Sequence, residues 1–258
     1  IAILSLVAMA VVIYYIPNPI RYAKNKKIDY PIKQIILDKV FLKLDYGIFA
    51  LHATQIIMFM MIPLMLNGIG YPINYHWQIY LPVFVLSMLA IIPMIILSSK
   101  KKMLRSFFLL NVFLLIFVQF LFIIWSDSKQ AIMITLLIYF IAFNFLEATL
   151  PSLISRLSPK NLKGLVLGAY NTSQSLGIFV GGILGGFIAM QFSDQAIFIL
   201  SAMLLVVWFI LMLKFIFPSS KNDIYAMRRN RLARRAVRVR ARQCEHDRRA
   251  CKLAAVRC

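Results

Sequence analysis

The sequence has few acidic residues and, over most of its length, no cysteine. Only nine of its 258 residues are Asp or Glu, and all three cysteines lie beyond residue 243. The cysteine-free body gives no sign of a disulfide framework, and no group of residues has the spacing of a metal site. The enzyme motifs G-x-S-x-G and H-E-x-x-H are also missing. We therefore expect neither an enzyme nor a bound metal or cofactor.

Apolar residues dominate the chain instead. It is 61% hydrophobic with a mean hydropathy of +0.80, whereas soluble domains are roughly half apolar. The excess comes in runs of about 20 residues, the length that crosses a hydrocarbon core of about 30 Å as a helix. The pattern predicts an all-α polytopic membrane protein with one partial span at 1–16 and six full spans. The full spans are expected near 46–66, 78–98, 104–125, 130–154, 165–190 and 195–217.

The net charge of +20 is distributed unevenly between the loops. Alternate loops are rich in Lys and Arg, while the loops between them carry only Lys129. Basic loops stay on the cytoplasmic side of a membrane, so we expect a cytoplasmic C-terminus and a multi-pass protein of the bacterial inner membrane. Retention of the basic loops on the cytoplasmic side of a bilayer explains their charge, so we expect no nucleic-acid partner. The basic loops are 17–45, 99–106 and 155–164, and the others are 67–77, 126–129 and 191–194.

The chain divides into four parts. Residues 1–16 start without Met inside an apolar run, so we expect a truncated helix from a longer protein. Residues 17–45 form a basic cytoplasmic linker, and 46–217 the six-helix bundle. The tail, 218–258, is rich in arginine, and its last 31 residues lack Ile, Phe, Gly and Pro. We interpret this tail as non-native or disordered; a lipid-binding polybasic segment and a nucleic-acid or metal-binding arm are the alternatives.

One carboxylate lies inside an apolar span, in the stretch "AFNFLEATLPSLISRL". Glu147 precedes Arg156 by nine residues, which places it about 13 Å deep at 1.5 Å per residue. Asn144 and Pro151 lie on roughly the same helix face, and Pro151 leaves the Glu147 carbonyl without its helical donor. Loss of hydration disfavours a charged carboxylate, so Glu147 could take up and release protons. A permanent hydrogen bond that ties two helices together is the alternative.

Two further spans carry polar side chains in regular patterns. His52 and Gln55 form a stripe on the first full span, and Tyr170 and Gln174 share a face of the fifth. Each set could line a cavity or bond a neighbouring helix. Glycines at four-residue spacing on the fifth span predict close helix packing; they are Gly164, Gly168, Gly177, Gly181 and Gly185.

Three segments resemble a known family: "GIFALHATQIIMFMMIPLML" (47–66), "YHWQIYLPVFV" (75–85) and the stretch 142–187 around Glu147 and the glycines. They are similar to the C-terminal half of major facilitator superfamily transporters, and within them to the bacterial YajR-like inner-membrane branch, which is related to drug:proton antiporters. Each such half is a bundle of three plus three helices in an inverted repeat.

The resemblance implies a proton-coupled antiporter or efflux protein for small molecules that works by alternating access. His52, Gln55, Asn144 and Glu147 would then border the central cavity, with Glu147 as the proton carrier. The glycine-rich helix would pack against a helix of a missing N-terminal six-helix half. Two alternatives stay open: an inactive, truncated half-transporter, and a membrane-embedded enzyme that uses Glu147 and His52 as an acid–base pair.

Overall fold

A computed structural model describes residues 2–15, 37–100, 103–158, 162–192, 194–215 and 217. Within these ranges all regular structure is helical. Helix α1 (Ala2–Tyr15) belongs to a compact unit of its own, and the remaining helices form a second unit. Those helices are α2 (Lys39–Gly68), α3 (Trp77–Lys100), α4 (Leu104–Ile124), α5 (Lys129–Leu157), α6 (Lys163–Gln191) and α7 (Asp194–Leu213), with a 3-10 turn at Ile73–Tyr75 before α3.

Each of α2 to α7 is long and apolar enough to cross a membrane. This confirms the predicted all-α membrane bundle of six helices. Helix α1 is apolar but has only 14 residues. Aliphatic and aromatic side chains make up most of the bundle interior.

The first span starts earlier than the sequence predicts. Helix α2 begins at Lys39, where the Asp38 side chain accepts a hydrogen bond of 3.0 Å from the Val40 amide. Such a cap satisfies one of the free N–H groups of the first turn. Residues 39–45, predicted as the end of the linker, therefore belong to the bundle, and Leu44 is buried in its core. The other parts of the predicted linker, apart from 37 and 38, and the tail beyond Phe217 lie outside the described residues.

Helix α2 occupies the centre of the packing scheme, since it contacts α5, α6 and α7. Helix α4 packs against α5 and α7, and α3 packs mainly against α5. Helices α2 and α6 run parallel, with Gly177 against Phe49 and Gly181 against Ala53. This alignment brings polar side chains of the two helices to the same depth.

The two ends of the bundle are fixed by different polar contacts. At the end with the basic loops, Lys43 donates to the Leu211 carbonyl at 3.0 Å and Arg105 to the Leu213 carbonyl at 2.9 Å. Both contacts satisfy free carbonyls in the last turn of α7, where cations are favoured. At the opposite end, Lys129 donates to the Tyr71 hydroxyl at 3.0 Å, which ties the loop after α2 to the start of α5.

Candidate functional site

Helices α2, α5 and α6 bring three of the sequence-predicted residues together. The Gln174 Nε2 and His52 Nε2 atoms are 2.7 Å apart. Glu147 Oε2 lies 3.7 Å from the same histidine nitrogen. The three side chains are far apart in sequence, and they meet because α2 contacts both α5 and α6. We refer to His52, Glu147 and Gln174 as the polar triad.

The hydrogen bonds of the His52 ring fix its neutral tautomer. Nδ1 lies 3.2 Å from the Ile48 carbonyl, and a carbonyl oxygen can only accept, so Nδ1 carries the proton. Nε2 of the neutral ring is then an acceptor, and it receives the Gln174 amide. Protonation of His52 would turn Nε2 into a donor, for which Glu147 is the nearest carboxylate.

The Glu147 side chain is partly exposed and partly buried. Its side chain is 35% exposed, yet its Oε2 atom is buried and has no hydrogen-bond partner among the described residues. The 3.7 Å gap to His52 is longer than a hydrogen bond. An unpartnered buried oxygen is costly, and a proton placed between Glu147 and His52 would relieve that cost. The arrangement can therefore bind one proton between a carboxylate and an imidazole.

Two aromatic rings of α5 pack beside His52. The Phe143 ring contacts His52 edge-on, with ring centroids 5.8 Å apart. Tyr139 stacks on Phe143 from one turn earlier on α5. His52 is only 5% exposed. Charges interact more strongly in such apolar surroundings than in water, so the protonation states of His52 and Glu147 are coupled.

The remaining predicted polar residues lie around the triad without joining it. Asn144 donates to the Ser87 hydroxyl of α3 at 3.2 Å. Gln55 is half-buried on α2, one turn beyond Leu51. Tyr170 is buried on α6, and its hydroxyl is unpartnered among the described residues. Helix α5 continues without interruption through Pro151.

The glycines of α6 fall into two groups. Gly177 and Gly181 contact the backbone of α2, and a Cβ at Gly185 would lie 3.1 Å from Ile57. Their packing partner within this bundle is thus α2, and the expected contact of α6 with a helix of another half stays a prediction. Gly164 and Gly168 have nothing within 4 Å of a Cβ position, so within the described structure these two do not serve helix packing.

Sequence reasoning missed one buried carboxyl group. The predicted linker 17–45 and first full span 46–66 place Asp45 just outside the bundle, at the end of a helix. With α2 starting at Lys39, Asp45 lies nearly two turns inside the helix and is only 7% exposed. Its Oδ1 atom has no partner among the described residues. The cap at Asp38 was the signal that could have revealed this.

Comparison with known proteins agrees with this architecture. The family model of the Major Facilitator Superfamily matches residues 1–182. The inner membrane transport protein YajR of Escherichia coli (strain K12) is 33% identical over 213 residues, which are 81% of this chain and 46% of the relative. An uncharacterized transporter of Buchnera aphidicola subsp. Acyrthosiphon pisum (strain APS) is 32% identical over 184 residues, 70% of this chain and 47% of the relative.

The chain spans about half the length of these curated relatives. The family match covers well over half of the chain, and the six apolar helices agree with it. The chain is therefore a multi-pass membrane protein that belongs to the major facilitator superfamily.

Proposed function

We propose that the bundle is the C-terminal half of a secondary transporter of the inner membrane that exchanges small molecules for protons by alternating access. The observation that carries this proposal is the buried, unpartnered Oε2 atom of Glu147, 3.7 Å from His52 Nε2. Inner-membrane location and transport activity are suggested by the YajR relative. The coverage of about half of each relative supports a second six-helix bundle as partner.

The polar triad supplies a way to couple proton and substrate. With one proton bound, Glu147 and His52 are either both neutral or form an ion pair, so the site carries no net charge. Without that proton, Glu147 is an anion beside a neutral histidine that accepts from Gln174. The exposed part of Glu147 would then attract a cationic or polar group of a substrate. Proton and substrate would therefore exclude one another, which is the condition for exchange.

Glu147→Gln tests this proposal directly. The bundle is co-expressed with an N-terminal six-helix bundle of a relative and reconstituted into liposomes that contain a pH-sensitive dye. Ethidium serves as the probe substrate. We expect ethidium-driven proton flux with the unchanged chain and its loss with Glu147→Gln, because the amide cannot bind the proton.

Asp127→Asn is the matched control, since Asp127 is an exposed carboxyl group at the opposite end of the bundle from the basic loops. It should leave the flux unchanged. Proton flux that persists in Glu147→Gln removes Glu147 from the mechanism. Equal flux by the six-helix bundle alone contradicts the need for a second half, whereas no flux with any of a panel of small molecules favours an inactive half-transporter.

A further inference from the structure

Helices α4 and α7 carry two buried polar side chains that the proposed function does not use. Gln119 on α4 and Ser201 on α7 are both 0% exposed. The Gln119 Nε2 and Oε1 atoms and the Ser201 Oγ atom have no hydrogen-bond partner among the described residues. Buried polar groups are nearly always hydrogen-bonded, so three unsatisfied atoms on two packed helices require an explanation.

A stack of two aromatic rings shows that Gln119 and Ser201 face the same contact. The rings of Phe122 on α4 and Phe198 on α7 lie 5.4 Å apart between centroids and are nearly parallel. Gln119 precedes Phe122 by three residues, and Ser201 follows Phe198 by three. Residues three apart lie on one face of a helix. Because α4 and α7 are antiparallel, both polar side chains lie one turn inward from the stack.

A second ring contact agrees with this register. Further toward the basic loops, the Phe108 ring of α4 meets the Trp208 ring of α7 edge-on, with centroids 5.8 Å apart. Gln119 and Ser201 therefore lie between two ring contacts that join the same pair of helices.

The depths of the two side chains also match. At 1.5 Å per residue, Gln119 lies about 7.5 Å from the end of α4 at Ile124, and Ser201 about 10.5 Å from the start of α7 at Asp194. Both helix termini are at the end of the bundle opposite the basic loops. Long helical side chains lean toward the N-terminus of their helix, so the Gln119 amide extends inward, to the level of Ser201.

The Ser201 hydroxyl differs from those of the serines on α3. Ser87 donates to the Phe84 carbonyl at 2.8 Å and Ser98 to the Ile95 carbonyl at 2.9 Å. Bonds of this kind satisfy a serine within its own helix. Ser201 makes no such bond to any described residue, so its hydroxyl is available to a partner outside α7.

The chemistry of the three atoms selects the ligand. Facing polar groups that are too far apart to bond each other directly are typically bridged by water. A buried water makes about three hydrogen bonds, and Gln119 and Ser201 offer donors as well as acceptors. Both side chains are neutral, so neither compensates the charge of a buried cation. Water therefore fits the site better than an ion does.

We propose that Gln119 and Ser201 form a binding site for a buried water molecule that bridges α4 and α7. The Gln119 Nε2 group donates to the water oxygen, and the water donates to Gln119 Oε1 and Ser201 Oγ, which satisfies all three atoms. Phe122 and Phe198, 1% and 2% exposed, separate the site from the nearer end of the bundle. The bound water should therefore exchange slowly with bulk water.

This inference does not rest on the proposed function. Glu147 lies about 27 Å from the start of α5 at Lys129 by the same rise per residue, whereas Gln119 lies within about 8 Å of that end of the bundle. The water site and the polar triad can therefore be tested separately.

Nuclear magnetic resonance of the full chain in detergent, labelled with ¹⁵N-glutamine, tests the site directly. We expect a cross-peak between the Gln119 side-chain amide protons and water, with the sign of a long-lived bound water. Gln119→Met assigns the amide signal by removing it. Ser201→Ala should abolish the cross-peak, because the water loses its partner on α7.

Ser98→Ala is the matched control, since Ser98 is a buried serine that is bonded within its own helix. It should leave the Gln119 cross-peak unchanged. Gln195, an exposed glutamine at the start of α7, reports bulk water and should respond to neither variant. The water site is overturned if the unchanged chain shows no Gln119 cross-peak or if Ser201→Ala retains it. A Gln119 amide shift that appears with sodium chloride but not with choline chloride also overturns it, in favour of a cation.

Unfolding by sodium dodecyl sulfate in mixed micelles provides a second measurement. Ser201→Ala leaves the buried Gln119 amide unsatisfied, which is costly, whereas removal of both polar partners can be nearly neutral. We therefore expect Ser201→Ala to lower the midpoint of unfolding and the double variant Gln119→Met/Ser201→Ala to recover part of this loss. Gln119→Met combined with Ser98→Ala should show additive shifts. Additive shifts in both pairs contradict a shared water.

Discussion

At the scale of single residues, the Nε2 atom of His52 has two possible partners. In the neutral ring it accepts the Gln174 amide at 2.7 Å, and in the protonated ring it would donate toward Glu147, now 3.7 Å away. Gln174 thereby stabilises the neutral ring and Glu147 stabilises the charged one. Protonation of His52 therefore decides whether Nε2 bonds Gln174 or Glu147.

Replacing Gln174 by Leu should measure this contact. The substitution leaves a buried histidine acceptor unsatisfied, which costs about 1–3 kcal/mol. We expect Gln174→Leu and His52→Ala to be coupled by about 0.6–1.7 kcal/mol in a double-mutant cycle, the range found for hydrogen bonds between membrane helices. Unfolding of the chain in mixed micelles gives the free energies. Gln55→Leu combined with His52→Ala is the matched comparison, and equal coupling in both cycles contradicts the assigned bond.

The triad residues could be predicted from the sequence because each is a polar side chain in an apolar helix. Glu147, His52 and Gln174 were all recognised in this way, although their contacts were not. Asp45 was missed because its position depends on where the helix begins. The charged residues among 39–45 resemble a linker, whereas the Asp38 cap starts the helix before them. Because α2 starts seven residues earlier than predicted, Asp45 lies in the interior of the bundle and not at the end of a helix.

At the scale of helices, the contact between α2 and α6 depends on the absence of side chains. A Cβ at Gly181 would lie 2.6 Å from the Ala53 carbonyl oxygen, and one at Gly177 would meet the Phe49 carbonyl. Backbone atoms cannot move aside as a flexible side chain can. Close packing of small residues is a main source of helix association in membranes, and this contact also holds Gln174 against His52.

Gly181→Ala should separate α2 from α6. Overpacking of this kind costs about 1–3 kcal/mol, and the shift should also lengthen the bond between Gln174 and His52. Gly168→Ala is the matched control: nothing lies within 4 Å of its Cβ position, and alanine favours a helix by up to about 1 kcal/mol over glycine. Unfolding in mixed micelles should thus rank Gly168→Ala at or above the unchanged chain and Gly181→Ala well below it. The reverse order contradicts the packing described for α6.

The glycine pattern shows what periodicity predicts and what it leaves open. Four-residue spacing predicted close packing along all of α6, and the structure shows it at Gly177, Gly181 and Gly185 but not at Gly164 or Gly168. The pattern is a property of one helix, whereas the partner depends on how the other helices are arranged. Nothing in the spacing distinguishes α2 from a helix of another bundle, so the contact of Gly177 and Gly181 with α2 could not be predicted from the glycines alone.

At the scale of the whole molecule, the charges define two ends. The starts of α2, α4 and α6 and the ends of α3, α5 and α7 share the end with the basic loops. In the loops at the opposite end, Lys129 is the only basic residue, and it is bound to Tyr71. Lys and Arg remain on the cytoplasmic side during insertion. We therefore expect the end with the basic loops to face the cytoplasm.

Single cysteines can test this orientation, because the described residues contain none. Cys244, Cys251 and Cys258 are first replaced by serine, and one cysteine is then introduced at Asp127 or at Met103. Intact spheroplasts are treated with a membrane-impermeant maleimide. We expect Asp127→Cys to be labelled and Met103→Cys to be labelled only after lysis, since position 103 lies between basic residues that remain in the cytoplasm. Labelling of Met103→Cys in intact spheroplasts would contradict this orientation, because it would place a basic loop outside the cytoplasm.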